Sequence, residues 1–383
     1  MWQPCCYSGL GQVCYFDFVY TRHDVSMSAL QRIPPFALRN GLSANDWQAC
    51  LSFIQERYPD CVVEEARCQG GCSYTVLLRR RTIRRDHDAD GDSLEAFIVQ
   101  IRPAKHAISP SIARDARVWY GELAPLFEEL IVRAGVQICR MSLLPGVRLS
   151  DVLPTANTVD DRSRQQLQTL LDSLVDFHAC AWHQGRRSMN QRPESRRCTG
   201  RVGSTIEQRL RWLESGLPTP ARRVLARRCR TDLQNGGLDV LPVVLTHGDL
   251  LPSNIMVDSK TWKISGMVDW AEAEYLPFGM SLYCVDHLLG RLQGPNKFVW
   301  YDSATELRAV FWGALWKRIP RLDDQVVQKA VRLARDIGVL LWHGIAFDDG
   351  RIDRVVEVGQ DDEELAYLSA FVEDPEGIVK ALL

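Results

Sequence analysis

The stretch LTHGDLLPSNIMVDSKTWKISGMVDW, from Leu245 to Trp270, constrains the fold more than any other part of the chain. It sets His247 and Asp249 directly after the apolar run Val243, Val244, Leu245. A short apolar run follows at Ile255 to Val257, then a turn at Asp258 to Thr261, then the run WKISGMV ending at Asp269. If the two runs pair as a hairpin, the entry of the first lies beside the exit of the second, and Asn254 meets Asp269.

An amide oxygen and a carboxylate at one end of a hairpin, with the Asp249 carboxylate just upstream, form an all-oxygen pocket suited to Mg²⁺. Magnesium keeps several waters and takes much of its remaining shell from substrate phosphates, so this pocket points to a nucleoside triphosphate. Asp249 is then placed to accept the proton of an acceptor hydroxyl or align it for in-line attack on the γ-phosphate. His247 reads as a loop brace.

The rest of the chain gives this pocket a host. With 383 residues and 46% hydrophobic content, the chain can bury a substantial core in two lobes. Residues 1–58 read as a partly helical lead-in, with Ser43 as N-cap before Trp47, Leu51 and Ile54 at helical spacing. Residues 59–142 carry β-type runs, CVVEEARC, SYTVLLR and EAFIVQIR, that predict a small antiparallel sheet. Ser109 and Pro110 start a helix on which Ile112, Ala116, Trp119 and Leu123 share a face flanked by Asp115. A short strand in VQICRMS and a Pro-Gly turn close this part. Residues 143–383 are expected to be mainly helical, with QQLQTLLDSLVDFHACAWH and TIEQRLRWLESGL as helices and RRCTGRVG as a loop. Trp182 and His183 fall at the end of the first of these, as core and cap. The expected class is therefore α+β.

Several features narrow the partners. The 46 Lys plus Arg nearly balance the 48 Asp plus Glu, which argues against a nucleic-acid partner and an acidic disordered tail. No run approaches the roughly 18 apolar residues of a membrane span, and the N-terminus shows no basic leader before an apolar core, so no membrane partner and a cytoplasmic location are expected. The 12 cysteines, without CxxC pairs, suit reduced packed thiols. Cys61, Cys68, Cys72 and His87 have irregular spacing for a zinc site and read as ordinary strand and loop residues. Asp86, Asp88, Asp90, Gly91 and Asp92 imitate the front of a calcium loop, but Ser93 and Phe97 stand where an apolar residue and a bidentate Glu are needed. A charged hairpin turn is the better reading.

THGDLLPSNIMVD followed by ISGMVDWAEAEYLPFG resembles the catalytic and metal loops of the aminoglycoside phosphotransferase and choline kinase group, within the protein-kinase-like fold. The spacing His247, Asp249, Asn254 is similar to the H-R-D-x-x-x-x-N loop of kinases, and Asp269 stands where the metal-binding D-F-G segment begins. The pattern LPVVLTHGDLLPSN with WAEAEYLPFG also resembles a large fungal subset of these proteins. The resemblance implies a bilobal fold, ATP and Mg²⁺ as cofactors, and transfer of the γ-phosphoryl group to a hydroxyl of a small molecule. It implies Asp249 as the catalytic residue and Asn254 and Asp269 as metal ligands. QGGCSYTVLL looks like the phosphate-facing first hairpin, which brings in Gly70, Gly71 and Ser73, and ICRMSLLPGVRL looks like the inter-lobe linker with Met141 near the adenine. Asp115 stands where the family has its ion-pair acid.

One position departs from the pattern. The V-A-I-K strand motif supplies a lysine to the nucleotide phosphates, whereas this chain has Val99, Gln100, Ile101, Arg102. Arginine keeps the charge in a planar, longer-reaching fork, and the shorter acid Asp115 is its expected partner. Asp249, Asn254 and Asp269 together favour an active transferase over a nucleotide-binding pseudokinase with a scaffold role. No A-P-E segment follows Asp269, which favours a small-molecule acceptor over a protein.

Overall fold

The computed structural model describes residues 33–66, 69–80, 96–133, 135–191, 197–348 and 351–372. They form two compact units: those up to Arg114 with Pro125–Leu143, and Asp115–Ala124 with those from Leu144 on. Cys68, His87 and the acidic turn from Asp86 to Asp92 lie outside the described residues.

The first unit holds helices α1 (Pro35–Arg39) and α2 (Ala44–Arg57) and strands β1 (Cys61–Glu65), β2 (Tyr74–Arg80), β3 (Ala96–Pro103), β4 (Phe127–Arg133) and β5 (Val136–Ser142). The strands make one antiparallel sheet in the order β1-β2-β3-β5-β4. Period-two alternation puts Tyr74, Val76 and Leu78 of β2, Phe97, Val99 and Ile101 of β3, and Val136 and Ile138 of β5 into one core. α2 covers it with Trp47, Cys50, Leu51 and Ile54, and Trp47 meets Tyr74 edge-on at 4.8 Å. The helix starts where the sequence places it. Ser43 Oγ accepts the Asp46 N–H at 3.1 Å while the Asp46 carboxylate accepts the Ser43 N–H at 3.2 Å, a closed capping box.

Strand β4 was not visible in the sequence. A bulge between Glu129 and Ile131 breaks the alternation that would have marked it. Helix α3 (Pro110–Tyr120) begins at the expected proline, and the division between the units falls within it.

The second unit contains strands β6 (Val147–Arg148), β7 (Val243–Thr246), β8 (Ile255–Val257), β9 (Ile264–Met267) and β10 (Glu274–Pro277), two short hairpins, β11 (Gly290–Leu292) with β12 (Phe298–Trp300) and β13 (Ile345–Asp348) with β14 (Arg351–Val355), and most of the helices. These helices are α4 (Asp161–Gln191), α5 (Gly200–Gly203), α6 (Ile206–Gly216), α7 (Pro220–Gln234), α8 (Tyr283–His287), α9 (Ala304–Arg318), α10 (Gln325–His343) and α11 (Asp362–Val372). Leu167, Leu170, Leu171, Leu174, Phe177 and Ala181 give α4 its buried stripe. α4 approaches β7 so closely that a Cβ on Gly185 would lie 2.7 Å from the Val243 carbonyl oxygen. The helix runs on to Gln191, which corrects the reading of His183 as a cap: Trp182 is core, and His183 Nε2 lies 3.3 Å from the Arg318 carbonyl.

The segment read as a loop contains one helical turn, α5. Its free amides have a partner remote in sequence: the Glu274 carboxylate accepts the N–H of Val202 at 2.8 Å and of Gly203 at 2.9 Å. A buried ion network ties α8, α9 and α10 together. Asp286 accepts from Arg308 Nη2 at 3.1 Å and from Arg335 Nη2 at 2.5 Å. Among the described residues no helix is long and apolar enough to cross a membrane.

Candidate active site

The β7–β10 ladder delivers the polar loop that opens at His247. Its four residues Val243 to Thr246 are all buried, and they pair in register with Pro277 to Glu274, Leu245 opposite Tyr275. Apolar strand residues fix the ladder in the core, so the residues that follow leave it at a defined point. His247 is fully buried against the Trp270 ring at 4.7 Å. Its Nδ1 accepts the Asp249 N–H at 3.3 Å, so its Nε2 carries the proton and donates to the Val268 carbonyl at 2.8 Å. Burial pushes the imidazole down to about 4, which keeps it neutral. The histidine is a brace between the loop and the exit of β9.

Gly248 turns the chain between the two ionisable residues. It adopts φ +80°, and a Cβ there would lie 1.9 Å from the Glu272 carbonyl oxygen.

Asp249 is fixed by Asn254. The Asn254 Nδ2 donates to Asp249 Oδ2 at 2.8 Å and to the Asp249 carbonyl at 2.9 Å. Both amide protons are thus spent, and Asn254 Oδ1 is left as an acceptor. Asp249 Oδ1 is buried and has no hydrogen-bond partner among the described residues. Burial, and then the charge of Asp269, pushes the Asp249 carboxyl up to about 7.

The hairpin assembles as its sequence predicts. Ile255 pairs with Met267, and the Val268 N–H donates to the Asn254 carbonyl at 2.9 Å, which sets Asp269 one residue beyond Asn254's partner. The turn closes on Asp258 Oδ1, which accepts the N–H of Lys260 at 2.9 Å and of Thr261 at 2.8 Å. Asp269 takes φ +62°, a left-handed conformation that aspartate tolerates better than most residues. Trp270 follows, buried, with its indole N–H on the Met267 carbonyl at 2.9 Å.

Among the described residues no three His, Cys, Asp or Glu side chains cluster tightly enough to hold a metal by themselves. The set fits Mg²⁺ in another way. Asn254 Oδ1 and the Asp269 carboxylate offer hard oxygen donors, and the buried Asp249 Oδ1 has no hydrogen-bond partner among the described residues.

The remaining predicted residues occupy other places. Asp115 lies on α3, where its Oδ2 accepts the Tyr275 hydroxyl proton at 2.7 Å. Arg102 is buried in the first unit, with Nε donating to the His106 carbonyl at 2.7 Å and Nη1 to Gln100 Oε1 at 2.7 Å. Gln100 in turn donates to Thr75 Oγ1 at 3.1 Å. Gly70, Gly71 and Ser73 lie on the β1–β2 connection, and Met141 is buried on β5. That connection is held by Gln69, which sequence reasoning did not single out: it donates to the carbonyls of Ala66 at 3.0 Å and Thr75 at 2.8 Å and accepts the Thr75 N–H at 2.7 Å.

Besides Tyr275, two tyrosines were also missed. The Tyr283 hydroxyl accepts the Leu250 N–H at 3.3 Å, and Tyr120 donates to the Leu245 carbonyl. No local signal in the sequence marks these hydroxyls.

A family model described as the phosphotransferase enzyme family matches residues 81–285. No curated protein sequence matches the chain. Among solved structures, similarity extends to a putative aminoglycoside phosphotransferase from Ralstonia eutropha (TM-score 0.53, 12% identity, 84% of this chain and 96% of that one). It extends likewise to an ethanolamine kinase from Plasmodium vivax (0.52, 12%, 92% and 98%) and a choline kinase from Cryptosporidium parvum (0.50, 11%, 88% and 98%). At these identities the likeness is one of fold: the α+β architecture of the kinase-like phosphotransferases.

Proposed function

Because the chain belongs to the phosphotransferase enzyme family, we propose that it is a small-molecule kinase that uses ATP and Mg²⁺ to phosphorylate a hydroxyl. The observation that carries this reading is the Asp249–Asn254 pair. The carboxylate is held at one oxygen while the other, buried, has no partner in the described chain. Most buried polar atoms are hydrogen-bonded, so a buried carboxylate oxygen left without a partner fits a base that meets a substrate proton.

In this reading Asp249 accepts the acceptor hydroxyl proton as the new O–P bond forms and the bond from the γ-phosphorus to its bridging oxygen breaks, releasing ADP. Asn254 holds Asp249 in line through its amide protons, and His247 fixes the loop to Val268. Asn254 Oδ1 and Asp269 would hold a Mg²⁺, which neutralises charge on the transferring phosphates when bound. The nucleotide contacts we propose for the first unit are the backbone around Gly70 and Gly71, Ser73, the Arg102 guanidinium and the Met141 segment. The solved relatives are described as acting on choline, ethanolamine or aminoglycosides, and hydroxylated amines of these kinds are the first acceptors to test.

The test is an acceptor screen reading ADP release in the presence of Mg²⁺. Acceptor-dependent release by the native protein, lost in Asp249→Ala and Asp269→Ala, is expected. Nucleotide binding without turnover over a broad panel of hydroxylated metabolites would instead support a pseudoenzyme.

A further inference from the structure

Helix α3 grips the β7–β10 ladder at one cross-strand pair. Leu245 and Tyr275 are register partners, and both are held from α3: Tyr120 donates its hydroxyl to the Leu245 carbonyl, and Asp115 accepts the Tyr275 hydroxyl at 2.7 Å. Leu245 lies two residues before His247, so this grip sits at the root of the catalytic loop. The surroundings are close-packed. Trp119 meets Tyr275 edge-on at 5.7 Å, Tyr120 stacks on Phe177 of α4 at 4.4 Å and leans on Trp270 at 5.2 Å, and Cys180 donates to the Trp119 carbonyl at 3.1 Å. Trp270 in turn packs on His247. Among the described residues, the bond from Tyr275 is the polar side-chain contact of Asp115.

We infer that Asp115, through Tyr275, is a positioning residue for the transfer step: it locks the β7–β10 ladder so that the loop presents Asp249 in one orientation. This rests on the kinase reading above and deepens it. It gives Asp115 a role as a hydrogen-bond acceptor rather than as a charge paired with the Arg102 guanidinium. The two roles make opposite demands. An acceptor is replaceable by asparagine, whose Oδ1 still takes the Tyr275 proton, whereas an ion-pair acid is not. Burial, and then the Asp115 bond and charge, keep the Tyr275 phenol protonated and therefore a donor.

The experiment compares Asp115→Ala, Asp115→Asn, Tyr275→Phe and the double variant Asp115→Ala/Tyr275→Phe in turnover and in amide exchange. We expect kcat to fall about tenfold in Asp115→Ala and Tyr275→Phe, the loss worth one charge-assisted hydrogen bond, with KM for ATP unchanged. The double variant should lose no more than either single one, and Asp115→Asn should recover most of the rate. Amides from Val244 to Leu250 should exchange faster in Tyr275→Phe than in the native protein, and near the native rate in Asp115→Asn. The inference is overturned if Asp115→Asn is as impaired as Asp115→Ala while Tyr275→Phe behaves as native. It is equally overturned if loop exchange is the same in all variants. The exchange arm needs no turnover, so an inactive native protein would sink the kinase reading while still deciding the role of Asp115.

Discussion

At the scale of single residues, Gly248 separates the brace His247 from Asp249, the proposed base, and has no room for a side chain. A methyl there meets the Glu272 carbonyl at 1.9 Å on a left-handed backbone. Gly248→Ala is expected to destabilise the fold by about 1–3 kcal/mol and to remove transfer activity. Urea unfolding and ADP release check the two effects, and native behaviour in both would show that the loop has slack the geometry does not allow. The loop and hairpin that carry His247, Asp249, Asn254 and Asp269 were legible in the sequence because their spacing and pairing are local. Tyr283, Tyr120 and Tyr275 were not. Their hydroxyls act on groups 33, 125 and 160 positions away, distances over which one sequence carries no register.

At the scale of elements, α2 is the cover of the five-stranded sheet, and Trp47 is its largest buried side chain. Trp47→Ala should cost about 3–5 kcal/mol, the range for emptying a buried aromatic site. Chemical denaturation of the intact chain measures it. A change below about 1 kcal/mol would mean that residues 33–58 dock on the sheet without helping to hold it. The helix was readable from Ser43 and its apolar spacing, because capping and periodicity are local. Strand β4 was hidden by its bulge. α5 was hidden because its amides are satisfied by Glu274, some seventy residues on, while the side chain of its N-cap Thr199 makes no capping bond.

At the scale of the whole molecule, the second unit buries groups that would rather be hydrated, and this sets its response to acid. Burial pushes His178 down to about 3, and burial with the neighbouring His343 drives His287 well below the usual histidine value. The unfolded chain therefore takes up protons near pH 6.5 that the folded chain refuses. Stability should be full above about pH 6.5 and fall toward pH 3, at about 1.4 kcal/mol per pH unit for each such histidine. His178→Gln should flatten this slope by one proton's worth in urea titrations across that window, and an unchanged slope would contradict the assignment. The Asp286, Arg308 and Arg335 network belongs to this scale too, and sequence could not reveal it, since the three charges come from three helices. The α+β class was legible because strand and helix periodicities change along the chain, whereas the wiring inside the second unit depends on which helices meet.

Asp249 is proposed to take a proton during phosphoryl transfer. The most direct measurement is single-turnover transfer of the labelled γ-phosphoryl group from ATP to an acceptor found in the screen, with native protein and with Asp249→Asn, which keeps the shape and removes the base. Label in the acceptor is expected with native protein, and a rate about 10²–10⁴ lower in the variant. Equal rates in the two proteins would contradict it.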